Sequence, residues 1–194
     1  KKINKAKLQE YFSLPVREDV PMIGMVTRLV GHKGLDLVRG GIEDLLNTQK
    51  MQFVILGSGD EEYEKFFNDL QWKYPDRVRF CHGFIPELAR KIYSGADIFL
   101  MPSKQEPCGL SQMIAMRYGT IPIVHTVGGL VDTVQPYNPS TKEGTGITFQ
   151  SYNSYDMLDA IKRAIDLYYD KPNWRQVRKN AMSRDFSWNY PADE

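Results

Sequence analysis

Short apolar runs alternate with segments of helical periodicity along almost the whole chain, and that alternation limits what it can fold into more than any other feature. Residues 22–26, 53–56, 78–81, 98–101, 121–124 and 147–149 have the length and bulk of buried strands. Residues 35–46, 61–72, 87–94 and 110–118 carry apolar side chains at helical spacing, as Tyr63, Phe66, Phe67 and Leu70 illustrate. Two further helices, 155–168 and 174–182, close the pattern. Strand–helix alternation with short connections implies parallel βαβ units. The expected fold class is α/β, a Rossmann-like parallel sheet with helices on both faces. Pro122, inside the fifth run, suits an edge strand or a first strand residue better than a sheet centre. Residues 1–18 read as a helix and a tail entering the domain, and 136–144 as a turn-rich loop. No repeat and no internal boundary interrupts the chain, so 1–194 reads as one domain.

Composition narrows the class of partner. The 194 residues are 42% hydrophobic and 25% charged, with a net charge of +1. Nothing in that balance favours nucleic acid or a membrane surface. Cys81 and Cys108 fit a reduced protein better than a disulfide framework. No apolar run approaches the ~18 residues of a membrane span. Lys1 opens a charged segment rather than a secretory signal, and the absence of a starting Met suggests a piece of something longer.

The chemistry-bearing residues sit where runs of strand character hand over to helices, which is where open α/β sheets bind ligands. After the first run comes Thr27-Arg28-Leu29-Val30-Gly31-His32-Lys33-Gly34-Leu35-Asp36. Arg28 and Lys33 flank a turn that opens a helix. They fit either a diphosphate clamp backed by helix N–H groups or two solvated cations. Gly57 and Gly59 after the second run fit a tight turn as well as a nucleotide-contacting one. After the third run stand His82, Gly83 and Phe84. An aromatic there could stack on a base, although Phe taken alone is more often core.

The fourth run leads into Ser103-Lys104-Gln105-Glu106-Pro107-Cys108-Gly109-Leu110-Ser111-Gln112. A carboxylate beside a glycine can accept hydrogen bonds from sugar hydroxyls while the backbone approaches closely. The Ser111 hydroxyl, in the first helical turn, can face phosphate. Cys108 has no C-x-x-C partner and reads as a packing or close-contact residue. Thr126, Gly128 and Gly129 follow the fifth run, and paired glycines before a helix make an oxygen-binding turn. His32, His82 and His125 are scattered singles, read as structural or surface residues. No metal-ligand spacing is present, so no bound metal is expected.

R-L-V-G-H-K-G-L-D, S-x-x-E-P-C-G-L-S-Q-M-I-A-M-R-Y-G-T, T-V-G-G-L-V-D-T-V and the final D-F-S-W occur in this order over nearly the whole chain. In this the chain resembles the C-terminal half of bacterial glycogen synthases and plant-type starch synthases. The resemblance implies a GT-B glycosyltransferase, two Rossmann-like domains facing across a cleft, of which this chain is the nucleotide-sugar half. Residues 1–18 would then be an interdomain linker or helix. The N-terminal acceptor domain, with its K-x-G-G-L motif, is not in this sequence, so the lone chain is expected to turn over poorly.

The implied reaction moves glucose from ADP-glucose to the non-reducing end of an α-1,4-glucan with retention, in the bacterial cytoplasm or a plant plastid. By the match, Arg28 and Lys33 neutralise the leaving diphosphate and Glu106 positions the donor glucose. Backbone N–H groups near Cys108, Gly109 and Leu110 support sugar and phosphate. Phe84 stands where these synthases place a residue beside the donor base. The resemblance implies no cofactor besides the donor substrate.

Two departures qualify the match. The E-x7-E pair of many retaining relatives is missing, because Ile114 stands eight positions after Glu106; this favours the glycogen/starch branch. Val127 replaces the first Gly of the family's T-G-G-L stretch. The competing readings are a nucleotide- or glycan-binding module without chemistry, and a related transferase using another nucleotide sugar. Tyr152, Tyr155 and Trp174 raise the idea of a surface glucan site, but their helical spacing favours core or interdomain packing.

Overall fold

The structure is a computed structural model that describes residues 1–104, 109–126 and 133–184. Its strands are β1 (Met22–Val26), β2 (Gln52–Gly57), β3 (Val78–His82), β4 (Ile98–Met101), β5 (Ile121–His125) and β6 (Ile147–Phe149). The helices are α1 (Lys2–Tyr11), α2 (Leu35–Thr48), α3 (Glu61–Lys73), α4 (Pro86–Gly95), α5 (Ser111–Arg117), α6 (Ser154–Tyr169) and α7 (Lys171–Met182), with a 3-10 turn at Gly31–Lys33. The strands form one six-stranded sheet in the order β3-β2-β1-β4-β5-β6, and every neighbouring pair is parallel. The expected α/β architecture is therefore present, and each predicted strand and helix falls within a few residues of its place.

Strand alternation divides the sheet into two cores. Phe53 and Ile55 face one side, packing with α2, α3, α6 and α7. Val54 and Leu56 face the other, against α1 and α4. Parallel strands covered on both faces read as continuous apolar runs, which is why these segments show no polar alternation. Helix α5 joins both cores, with Met113 and Met116 in the first and Ala115 in the second.

Pro122 corrects an expectation. It is the second residue of β5, an inner strand paired with β4 and β6. The Ile121 N–H donates toward β4, to Asp97 O at 3.0 Å. Alternation then turns the Pro122 nitrogen toward β6, whose pairing begins one residue later at Ile123↔Ile147. The missing N–H falls where no ladder bond is formed, so the sheet tolerates the proline.

Helix α1 is fastened to the sheet by a buried ion pair. Lys5 Nζ lies 2.7 Å from Asp97 Oδ2, with side chains 4% and 7% exposed. Lys5 also donates to Val20 O at 2.6 Å and Tyr168 Oη at 3.0 Å, while Asp97 accepts the Met22 N–H. Trp174 is in the core, edge-on to Tyr168 at 5.2 Å. Tyr155, by contrast, lies outside the core, 81% exposed on α6.

Candidate functional site

The sheet order reverses between β1 and β4, since the chain runs outward from β1 to β3 and returns to start β4 on the other side. Loops leaving these two strands diverge and leave a crevice at their C-terminal ends, the usual ligand position in such sheets. Two adjoining hollows occupy it. The larger, about 280 Å³, lies between the end of β1 with Arg28 and Lys33 and the end of β4 with Pro102, Ser103 and Gly109–Ser111. The smaller, about 210 Å³, lies between Thr27 and Arg28, the β2 end at Gly57 and Ser58, and Gly83 and Phe84 after β3. Val26, Thr27, Arg28 and Ser111 belong to both walls. Together the hollows reach the size range of small-molecule sites, about 300–1,000 Å³.

Local backbone chemistry places the two cations. The β1 and β2 loops keep pairing beyond the sheet, with Leu29 N donating to Ser58 O at 2.9 Å and Asp60 N to Leu29 O at 2.9 Å. A Cβ on Gly57 would meet Thr27 O, and one on Gly59 would lie 2.5 Å from Leu29 O. These glycines permit the close approach of two loops, and Gly59 itself lines neither hollow. The 3-10 turn ends at Gly34, with φ +85, where a Cβ would strike the Pro102 carbonyl. Only glycine suits a left-handed residue in that contact. Lys33 is thus held just before α2, on the wall of the larger hollow with Arg28. Lys104 N donates to His32 O at 2.8 Å and ties the β4 loop to this turn.

A second network braces the walls from behind. His125, buried at the end of β5, has its ring nitrogens 3.1 Å from Ser103 O and 3.0 Å from Gln150 O. Its ring packs against Phe149 and Tyr152. The Tyr152 hydroxyl donates to Asp36 Oδ1 at 2.6 Å. Burial first, then the Asp36 carboxylate, push the Tyr152 phenol above its ordinary range. On the β3 side, Glu64 Oε2 accepts from Gly59 N and lies 2.9 Å from His82 Nε2. The histidines therefore act in the frame: His125 in the network, His82 in an exposed pair, and His32 exposed on the turn.

The structure brings together Arg28, Lys33, Gly57, Gly83, Phe84, Ser103, Gly109, Leu110 and Ser111. Phe84, which residue type alone would bury, is 79% exposed at the rim. Thr126 lines neither hollow, because its hydroxyl donates to Phe149 O at 3.1 Å and faces β6. Glu106, Cys108, Gly128 and Gly129 lie outside the described residues. Sequence reasoning missed Thr27, Tyr93 and Pro102. Tyr93 had no signal of its own, since its spacing from Leu88, Ala89 and Ile92 is that of a core-facing helix stripe. Among the described residues no cluster of His, Cys, Asp or Glu is arranged to hold a metal ion, and no helix is long and apolar enough to cross a membrane.

Comparison with known proteins agrees with this geometry. The profile of the family described as glycosyl transferases group 1 matches residues 7–184. The chain is 56% identical to the glycogen synthase of Anoxybacillus flavithermus, over 97% of this chain and 39% of that protein. It is 53% identical to that of Bacillus cereus, over 97% of this chain and 40% of the relative. The chain thus spans about two fifths of the length of these relatives. Among solved structures, the catalytic domain of starch synthase IV from Arabidopsis thaliana, bound to ADP and acarbose, superposes with a TM-score of 0.87. It is 36% identical, covering 97% of this chain and 40% of that one. Sucrose-phosphate synthase from Thermosynechococcus elongatus follows at 0.70 and 28% identity, covering 91% of this chain and 43% of that one. With a parallel sheet shared with these glycosyltransferases and a family profile that covers nearly its whole length, the chain belongs to the glycosyl transferases group 1 family.

Proposed function

We propose that this chain is the donor-binding domain of a retaining glucosyltransferase that moves glucose from ADP-glucose to the non-reducing end of an α-1,4-glucan, a cytoplasmic reaction of glycogen synthesis. The observation that carries the reading is the convergence of Arg28 and Lys33 on one crevice opposite Ser103 and Ser111. Two fixed cations there suit a diphosphate, and they stabilise the charge that develops as it leaves. Phe84 and Gly83 bound the smaller hollow and would take the adenine. Glu106, by its place in the motif, would hold the glucose hydroxyls. Cys108, Gly128 and Gly129 would offer backbone contacts to sugar and phosphate. The likeness to a starch synthase domain holding ADP and acarbose supports both the nucleotide and the glucan.

On this reading 1–194 is one domain, with residues 1–18 as its link to an acceptor-binding half. Without that half the glucan is not presented and transfer is negligible. The chain's own groups supply the charge stabilisation, and no metal or cofactor enters.

Calorimetric titration of the chain with ADP, UDP and ADP-glucose tests the reading. ADP is expected to bind, and Arg28→Ala and Lys33→Ala are each expected to cost about 1.5–3 kcal/mol, the value of a charge-assisted contact. Preference for UDP would point to a transferase using another nucleotide sugar. Failure of an added N-terminal half to restore transfer would leave a binding module.

A further inference from the structure

Tyr93 sits on α4 with its ring 5.2 Å from that of Phe99 on β4, and only 7% of it is exposed. It nevertheless reaches the smaller hollow, whose wall it shares with Ser111. There its hydroxyl donates to Ser111 Oγ at 3.1 Å, its one hydrogen bond among the described residues. A partly buried donor is best satisfied by a nearby acceptor, and Ser111 is the acceptor present. Burial pushes the Tyr93 phenol up, so it keeps its proton at neutral pH.

A serine hydroxyl has one proton to give and two lone pairs. With a lone pair engaged by Tyr93, the Ser111 proton must point away from Tyr93. Ser111 forms part of the wall common to both hollows, as Arg28 does. The geometry points to Tyr93 as a positioning residue that orients Ser111 Oγ as a hydrogen-bond donor toward an anionic oxygen of the bound nucleoside diphosphate. The inference rests on the donor-domain reading above. Tyr93 touches no ligand in this role, and the ring of Phe would fill its place against Phe99.

The test is a calorimetric comparison of the chain with Tyr93→Phe, Ser111→Ala and the double variant, each titrated with ADP and with adenosine. Tyr93→Phe is expected to weaken ADP about threefold to tenfold, the value of one oriented hydrogen bond. Adenosine, which lacks the phosphates, is expected to bind all variants alike, and the double variant to be no weaker than Ser111→Ala. Should Tyr93→Phe fold poorly, Ser111→Thr, which keeps the hydroxyl, is expected to retain the ADP affinity that Ser111→Ala loses. Unchanged ADP affinity in Tyr93→Phe, an equal loss for adenosine, or additive losses in the double variant overturn the role of Tyr93 and leave the donor-domain reading standing. No ADP binding by the unsubstituted chain overturns both.

Discussion

Phe84 is a large aromatic ring 79% exposed at the rim of a polar crevice. Burying a Phe ring fully is worth about 1.5–3 kcal/mol, so leaving it in water forgoes stability unless a ligand covers it. Phe84→Ala is therefore expected to leave the unfolding midpoint nearly unchanged, within about 0.5 kcal/mol. It should weaken ADP by about 1–3 kcal/mol if the adenine stacks there. Equal ADP affinity would remove Phe84 from the site. Arg28 and Lys33 were legible through the whole R-L-x-x-x-K-G-L-D run, because two cations on a turn fit solvated positions as well. Tyr93 was not legible, because one hydroxyl on a core stripe leaves no mark on hydrophobic periodicity. Thr126 was legible as a loop residue but not in its direction, which the nearby β6 carbonyl decides.

Among the elements, α1 is held largely by buried polar side chains, Lys5 on Asp97 and Gln9 on Gln52. Its apolar face is thin, with Leu8 its one buried apolar residue, while Lys5 is buried against Asp97 and Tyr168. Removing one member of a buried ion pair strands the other charge, at a typical cost of about 3–5 kcal/mol. Lys5→Met is expected to cost that much in chemical denaturation, and Tyr168→Phe about 0.5–1.5 kcal/mol. A Lys5→Met chain as stable as the original would show that α1 docks without the ion pair. The strands and helices themselves were legible because their periods are written in residues two to four apart. Pro122 misled because a proline's cost depends on whether its nitrogen faces a partner, which only the start of β6 reveals.

At the scale of the whole molecule, pH dependence follows from burial. The Lys1 ammonium is pushed from 10.5 down to about 7, chiefly by burial, with Asp97 opposing. Between those values the unfolded chain holds a proton that the folded chain has released, so stability rises with pH across that window. Tyr152 and Tyr168 are pushed up, mainly by burial. Above their ordinary value of 10.0 the unfolded phenols ionise first, and stability falls. The urea midpoint is expected to climb above pH 7, peak near pH 10 and then decline, with Lys1→Met flattening the climb. A midpoint that falls steadily from pH 7 would contradict the burial of Lys1.

The succession of strands and helices, the two-sided burial of the sheet and the identity of the charged turn can all be read from the residues in order. Each of these is carried by neighbouring residues and by motifs of contiguous chain. Long-range packing sets β4 beside β1, so that Ser103 and Ser111 stand across a crevice from Arg28, and brings the Tyr93 hydroxyl to Ser111. Strand order is set by which whole faces bury best against which helices, a property of residues far apart in the chain, and no local period encodes it.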